Sequence, residues 1–109
     1  MKTYEDLAQR WGLKPYCFSG VNDGWIPLLD ALCAGLQATG YDLTQVAQIK
    51  QKMGGLRFSA DGADEAQRAL VNEAEDTSWT VCEFCGQPGK PVSHHGWIVT
   101  SCVECAKGF

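Results

Sequence analysis

Two Cys-x-x-Cys pairs near the C-terminus constrain this chain more than any other feature of its sequence. Cys82 and Cys85 form the first pair, Cys102 and Cys105 form the second, and sixteen residues separate the pairs. Each pair can present two thiolates from one tight turn, and a hairpin in the connection can bring both turns onto one ion. The spacing therefore predicts a tetrahedral site for one Zn²⁺. Gly86 supports this prediction, because a glycine after the pair lets backbone amides point at a metal-bound sulfur.

A disulfide framework is the alternative explanation for six cysteines. In small secreted chains the cysteines are usually spread along the sequence, whereas four of these are packed into two short pairs at one end. The sequence does not open with basic residues followed by an apolar run, so we do not expect a signal peptide. None of its apolar runs is long enough to span a membrane. We therefore expect a cytoplasmic protein with reduced thiols and no membrane partner, which favours metal over disulfides.

A four-cysteine zinc site is expected to be structural. Catalytic zinc keeps one position open for water and commonly uses histidine or carboxylate ligands, whereas four thiolates close the shell. His94 and His95 lie between the two pairs, and one of them could replace a cysteine ligand. The simpler interpretation is that both histidines are ordinary residues of a loop or hairpin turn.

The segment before the cysteines predicts an α+β fold. Thr3 can cap a helix that runs to about Trp11, and residues 13–20 are expected to form a loop. Asn22 or Asp23 can cap a second helix that ends at Gly40 and buries six apolar residues: Trp25, Ile26, Leu29, Leu32, Cys33 and Leu36. We expect residues 1–80 to form the core and residues 81–109 to form a zinc ribbon or knuckle packed on it.

A β-hairpin and a third helix complete the predicted core. Residues 45–53 form the first strand, Gly54 and Gly55 the turn, and residues 56–60 the return strand. The third helix runs from about Gly62 to Ser78. Its narrow buried stripe is predicted to contain Ala63, Ala66, Leu70 and Ala74. In the cysteine module, Trp97 to Ser101 is predicted to be a strand.

Four further residues have alternative structural and functional interpretations. Cys33 fits the apolar face of the second helix, whereas Cys17 lies in an aromatic loop where a partly exposed thiol could act as a nucleophile, although no base can be named for it. Trp25 and Trp97 each follow a glycine. We expect both to be core aromatics beside tight turns, and the alternative is that they are exposed anchors for a partner.

Charge is distributed unevenly along the chain. The net charge of −4 argues against a general nucleic-acid binder. Lys50, Lys52 and Arg57 nevertheless make the hairpin basic, and with its glycines this could suggest phosphate binding, although the pattern of a P-loop is missing. The third helix carries acids that could contact a basic partner as phosphate mimics, or simply form a solvated face: Asp64, Glu65, Glu73, Glu75 and Asp76.

The chain resembles a family of small uncharacterised proteins that phages and mobile elements often encode. The resemblance lies in the motifs Asn-Asp-Gly-Trp (22–25), Gln-Ile-Lys-Gln-Lys-Met-Gly-Gly-Leu-Arg-Phe (48–58), Cys-Glu-Phe-Cys-Gly (82–86) and Gly-Trp-Ile-Val-Thr-Ser-Cys-Val-Glu-Cys (96–105). It covers most of the chain, from residue 22 to residue 105. It implies a phage-like context and a zinc site on the four cysteines, and it implies no reaction.

A narrower resemblance involves the cysteine module alone. A helix that leads into Cys-x-x-Cys-Gly, followed by a second Cys-x-x-Cys, is similar to the zinc finger of DksA/TraR-type proteins, which bind RNA polymerase. The preceding segment departs from that family, because it contains a glycine hairpin and one short helix instead of a long helical hairpin.

The leading functional hypothesis is a non-enzymatic, zinc-stabilised protein-interaction module. In the context that the first resemblance implies, it would be a phage-type inhibitor that binds a host protein of antiviral defence. The alternative is a nucleic-acid-binding zinc ribbon or transcription modulator, which would use Lys50, Lys52 and Arg57 with Lys90 and Lys107. An enzyme that uses the zinc or Cys17 is the third and weakest hypothesis.

Overall fold

The computed structural model describes residues 3–108, which form four helices and two small sheets. The helices are α1 (Tyr4–Trp11), α2 (Ile26–Ala38), α3 (Glu65–Ser78) and α4 (Val103–Ala106). The strands are β1 (Phe18–Ser19), β2 (Val46–Lys52), β3 (Gly55–Ala60), β4 (Lys90–His94) and β5 (Trp97–Ser101). The predicted α+β class is confirmed, and the four cysteines cluster at the C-terminal end in the arrangement of a zinc ribbon.

Helix α1 begins and ends where the sequence predicted. The Thr3 hydroxyl oxygen accepts a hydrogen bond from the N–H of Asp6, and Gly12 ends the helix in a left-handed conformation. Leu7 and Ala8 are buried against the core. Residues 13–20, predicted as a loop, contain a 3₁₀ turn (Pro15–Cys17) and strand β1, which pairs with β2 in parallel.

Helix α2 begins later than predicted, so the prediction that Asn22 or Asp23 caps it is wrong. A 3₁₀ turn (Asp23–Trp25) lies between Asn22 and the helix, and the Asn22 side chain does not cap it. That side chain instead donates to Glu83, as described below. The predicted buried face is confirmed, since all six apolar residues of the pattern are buried: Trp25, Ile26, Leu29, Leu32, Cys33 and Leu36.

Strands β2 and β3 form the predicted hairpin, with its turn shifted by one residue. Lys52 pairs with Gly55, so the turn residues are Met53 and Gly54, whose φ angles are 53° and 90°. Positive φ at both central positions is typical of a type I′ turn. Gly55 belongs to β3, where a Cβ would lie 2.4 Å from the ring of Trp79. The second glycine therefore serves close packing and not the turn.

Helix α3 is capped by Asp64, which accepts from the N–H of Gln67 while the Gln67 side chain accepts from the N–H of Asp64. The prediction that Ala66 is buried is wrong, because Ala66 is exposed. Ala63 and Ala74 are buried as predicted and Leu70 is half-buried, and the buried face of the helix also contains Gln67, Val71 and Ser78. Burial of the polar Gln67 side chain is tolerated because its amide N–H donates to the Thr39 hydroxyl oxygen.

Helix α3 also covers the outer edge of β3. The N–H of Leu56 donates to the Ser78 hydroxyl oxygen, and the N–H of Phe58 donates to a Glu75 carboxylate oxygen, both at 2.9 Å. These backbone groups would otherwise be unpaired at a sheet edge. The main core lies between this sheet and helices α1, α2 and α3.

Candidate metal centre

The first cysteine pair lies in a tight turn that backbone hydrogen bonds close. The N–H of Cys82 donates to the Gln87 carbonyl oxygen at 2.7 Å, and the N–H of Gly86 donates to the Cys82 carbonyl oxygen at 2.9 Å. The amides of Phe84 and Cys85 point at the Cys82 sulfur. This turn therefore orients the first sulfur and supplies it with hydrogen-bond donors.

The second pair lies at the start of α4. Cys102 is the N-cap residue of this one-turn helix, and its sulfur accepts a hydrogen bond from the N–H of Cys105 at 3.3 Å. The N–H of Ala106 donates to the Cys102 carbonyl oxygen. Strand β5 leads directly into Cys102, as the sequence predicted, so the β4–β5 hairpin carries the second turn to the first.

All four sulfur atoms lie within 4.8 Å of one another. The sulfur atoms of Cys85 and Cys102 are 3.6 Å apart. Around a tetrahedral zinc ion with bonds of ~2.3 Å, the sulfur atoms would be about 3.8 Å apart. The four side chains can therefore hold a metal ion. Cys82 is buried, Cys102 and Cys105 are half-buried, and Cys85 is exposed.

The thiols of this cluster differ in how readily they ionise. Burial would raise the pKa of Cys82, but the amides of Cys102, Cys85 and Phe84 outweigh it and lower the pKa to about 6. The hydrogen bonds that Cys105 makes to Cys102 and Cys85 raise its pKa to about 12. One thiolate is thus favoured at neutral pH while a neighbour keeps its proton, and a divalent ion is the partner that would allow four thiolates to coexist.

The two histidines lie at the far end of the β4–β5 hairpin. His94 is the last residue of β4, and His95 forms the turn with Gly96, with φ angles of 51° and 83°. The expectation that they are ordinary loop or hairpin-turn residues is confirmed for His95, whereas His94 belongs to strand β4. Among residues 3–108, the cluster that could hold a metal consists of cysteines only.

Glu83 joins the cysteine module to the core, a role that sequence reasoning missed. It lies inside the first Cys-x-x-Cys turn and is 1% exposed. One carboxylate oxygen accepts from the Asn22 amide at 2.8 Å, and the other accepts from the N–H of Thr100 at 3.0 Å and the Gln51 amide at 3.2 Å. Its charge is therefore shared among donors from an N-terminal loop, strand β2 and strand β5.

The Asn-Asp-Gly-Trp motif forms the core side of this junction. The N–H of Gly24 donates to the Glu83 carbonyl oxygen at 2.8 Å, and the indole N–H of Trp25 donates to the Val81 carbonyl oxygen at 2.9 Å. A Cβ at Gly24 would lie 2.3 Å from the carbonyl oxygen of Cys82. Only glycine therefore allows the two backbones to approach this closely.

The acidic residues proposed as partner contacts divide into two groups. Asp64 caps α3, and the Glu75 carboxylate holds the edge of β3, so both side chains have structural roles. Glu65, Glu73 and Asp76 are exposed. The proposed acidic surface is thus reduced to three exposed side chains that have no such structural role.

The basic residues of the hairpin lie together. Lys50 and Arg57 are directly opposed on β2 and β3, and Lys52 lies two residues along β2 on the same face. Lys52 and Arg57 are exposed, and Lys50 is half-buried. Within residues 3–108, none of the three forms an ion pair.

Cys17 and Cys33 are both buried, so the expectation of a partly exposed Cys17 thiol is wrong. Burial raises the pKa of Cys17 above its ordinary value. Burial, with the charges of Asp30 and Cys17, raises the pKa of Cys33 to about 12. Both thiols therefore keep their protons at neutral pH and behave as small core residues.

The two tryptophans that follow glycines have different environments. Trp25 is fully buried, as expected. Trp97 is 76% exposed, so the expectation of a core residue is wrong for it. Trp97 and the 65% exposed Met53 line one groove of about 770 Å³ between the β2–β3 and β4–β5 hairpins.

Comparison of the chain with protein-family models, curated proteins and solved structures finds no match. None of the helices within residues 3–108 combines the length and apolar character that crossing a bilayer requires.

Proposed function

We propose that the chain binds one Zn²⁺ through Cys82, Cys85, Cys102 and Cys105, and that this ion is structural. Thiolate ligands favour zinc among the common divalent ions, and four of them leave no open position for a substrate. The site would require reduced thiols, as found in the cytosol. The test is metal analysis of protein purified without added zinc. One equivalent of zinc is expected, and a different metal or a metal-free folded protein would contradict the assignment.

We propose further that the chain is a protein-interaction module and not an enzyme. The observation that carries this proposal is the exposure of Trp97 and Met53 in a single groove. Bulky apolar side chains at the surface, especially tryptophan, are typical of the centres of protein interfaces. The cysteine module would then have two tasks, because it stabilises the fold and positions β5, which carries Trp97.

The phage-type hypothesis rests on the resemblance of the sequence motifs to those of small proteins that phages and mobile elements often encode. On this hypothesis the partner is a host protein of antiviral defence, and the chain inhibits it by binding. The test is affinity capture from bacterial lysate, with and without nuclease, using wild-type protein and the Trp97→Ala variant. One stoichiometric protein that survives nuclease and is lost with the variant is expected. Capture that disappears with nuclease would contradict the proposal.

A nucleic-acid-binding role is the second candidate, and the basic face of Lys50, Lys52 and Arg57 favours it. These three cations form no ion pair with another residue of the described range 3–108, and cations on one face can contact phosphates. The net charge of −4 opposes this role, and Lys107 of the module is paired with Glu104. Binding of a labelled oligonucleotide at roughly 0.15 M salt, with a steep salt dependence, would favour this candidate over the first.

A further inference from the structure

We infer that the groove between the two hairpins binds a peptide segment of a partner protein that carries a bulky apolar side chain flanked by acidic residues. The inference rests on the proposed protein-interaction function and gives it a site and a partner chemistry. Three features of the groove support it: its apolar surface, the positive charge of Lys52 at its edge and the backbone conformation of Met53.

The apolar surface comes from both hairpins. Trp97 begins β5 and Met53 lies in the β2–β3 turn, and both side chains are mostly exposed. Phe84, Ile98 and Val99 line the same groove. The hairpins are held together beside it, because the Thr100 hydroxyl group donates to the Gly54 carbonyl oxygen at 2.6 Å. A partner side chain would therefore enter a groove that is already formed.

The charge at the edge of the groove determines which peptides complement it. Lys52 lines the groove, whereas Lys50 and Arg57 lie farther along the β2–β3 hairpin and do not line it. No ion pair within residues 3–108 neutralises any of the three. An acidic residue beside the apolar anchor would meet Lys52 at the groove, whereas a basic residue there would be repelled.

Met53 occupies a backbone conformation that its residue type disfavours. The first central position of a type I′ turn usually holds asparagine, aspartate or glycine, yet here a methionine has a φ of 53°. Methionine suits variable apolar contacts because its side chain is flexible and polarisable. A large apolar side chain at a strained, exposed position is explained if a partner covers it.

A peptide fits this groove better than a nucleic acid does. Among the described residues that line it, Lys52 is the one lysine or arginine, so the groove does not offer a run of cations to a phosphate backbone. The lining is otherwise mainly apolar, as a peptide anchor requires. A single-stranded nucleic acid would instead need several stacking rings along a continuous basic track.

The test is selection of a random twelve-residue peptide library against the zinc-loaded protein, followed by fluorescence anisotropy with the enriched peptides. Three groove variants are compared with wild type: Trp97→Ala, Met53→Asn and Lys52→Glu. Asparagine suits the φ of Met53, so that variant keeps the turn while removing the side chain. The controls are Tyr16→Ala and Lys14→Glu, which alter an equally exposed aromatic and a lysine that line a different groove.

Enriched peptides are expected to combine aromatic or leucine residues with aspartate and glutamate. Trp97→Ala should weaken their binding at least about tenfold, and Lys52→Glu about three- to tenfold in a salt-dependent manner. The two control variants should bind as wild type does. Circular dichroism of each variant confirms that the fold is retained.

Three outcomes would overturn the inference: no enrichment, enrichment of basic peptides, or binding that is indifferent to Trp97→Ala. Trp97-dependent binding of a twelve-nucleotide oligothymidine in place of peptides would also overturn it. The proposed function is judged separately by the lysate capture. A partner protein that survives nuclease and is captured equally by wild type and Trp97→Ala would preserve a protein-interaction role and remove this groove from it.

Discussion

Truncation of Glu83 to alanine should destabilise the protein severely, because three donors would lose the acceptor that they share. The N–H of Thr100 is the most vulnerable, since Thr100 is fully buried and its backbone cannot turn toward water. The amides of Asn22 and Gln51 are partly buried and can reorient. The damage should be centred on the junction between the core and the cysteine module.

The expected cost follows from the groups left unpaired. A buried backbone N–H without an acceptor costs about 2 kcal/mol, and two amides that regain partial hydration cost about 1 kcal/mol each. Loss of the one buried methylene group that alanine lacks adds about 1 kcal/mol. We therefore expect Glu83→Ala to lower the free energy of unfolding by about 4–5 kcal/mol. That is a large fraction of the stability of a domain of this size.

Glu83→Gln is the matched variant. Its carbonyl oxygen can face the N–H of Thr100, and the Asn22 amide can turn over to accept from the new NH₂ group. The hydrogen bonds become weaker because the acceptor is no longer charged, but burying a neutral side chain costs less than burying a charged one. We therefore expect the free energy of unfolding of Glu83→Gln to lie within about 1.5 kcal/mol of the wild-type value.

The assay is urea unfolding of the zinc-loaded proteins, followed by near-ultraviolet circular dichroism, with zinc release measured in parallel by a chromogenic chelator. If Glu83→Ala is already unfolded without urea, its instability relative to Glu83→Gln is evident directly. Equal stability of the alanine and glutamine variants would refute the reasoning, because it would mean that the three donors do not depend on this acceptor.

Three further predictions concern the metal, the junction and alkaline pH. Serine at both Cys82 and Cys102 should abolish stoichiometric zinc binding and unfold at least the cysteine module, which metal analysis and thermal unfolding would detect; an unchanged thermal transition would exclude a structural metal. Gly24→Ala should destabilise the protein by at least about 2 kcal/mol in urea, because the new Cβ meets backbone atoms of residues 82 and 83 that cannot easily move, whereas Ser19→Ala, at an exposed position, should change little. The pKa of Cys33 is raised to about 12 from an ordinary 9.0, so its contribution to the free energy of unfolding is fully present below pH 9 and is lost as pH rises toward 12. The expected slope is about 1.4 kcal/mol per pH unit. Urea unfolding between about pH 8 and pH 10.5 should show this slope in wild type and a smaller slope in Cys33→Ala.

The parts of the fold that follow local rules could be predicted from the sequence. The bounds of α1 follow from a threonine cap and a left-handed glycine, and the buried face of α2 follows from its apolar spacing. The cysteine cluster was predictable for a similar reason, because each pair is a local turn and the connection between the pairs is short.

The errors arose where distant segments decide the outcome. Asn22 is a residue type that commonly caps helices, but its side-chain amide donates a hydrogen bond to the carboxylate of Glu83, sixty-one positions away. Gly55 looks like a turn residue, but glycine is needed there because a Cβ would collide with the ring of Trp79. Glu83 itself gave no signal, because a carboxylate between two cysteines is ordinarily expected to face solvent. The exposure of Trp97 was likewise hidden, since its position in β5 does not reveal which face of the hairpin lacks a neighbour.

The sealed edge of β3 restricts how another chain can bind this protein. Helix α3 occupies the N–H groups of Leu56 and Phe58, and β1 at the opposite edge of that sheet is only two residues long. In the second sheet, the N–H of Thr100 donates to the Glu83 carboxylate and its carbonyl oxygen accepts from the N–H of Glu83, so neither group is free to pair with another strand. Pro91 has no N–H, which leaves β4 without a donor at that position. Strand addition, which reads backbone and tolerates many sequences, is therefore disfavoured within residues 3–108. A partner of the proposed interaction module would then be recognised through side chains, and recognition of that kind is selective for sequence.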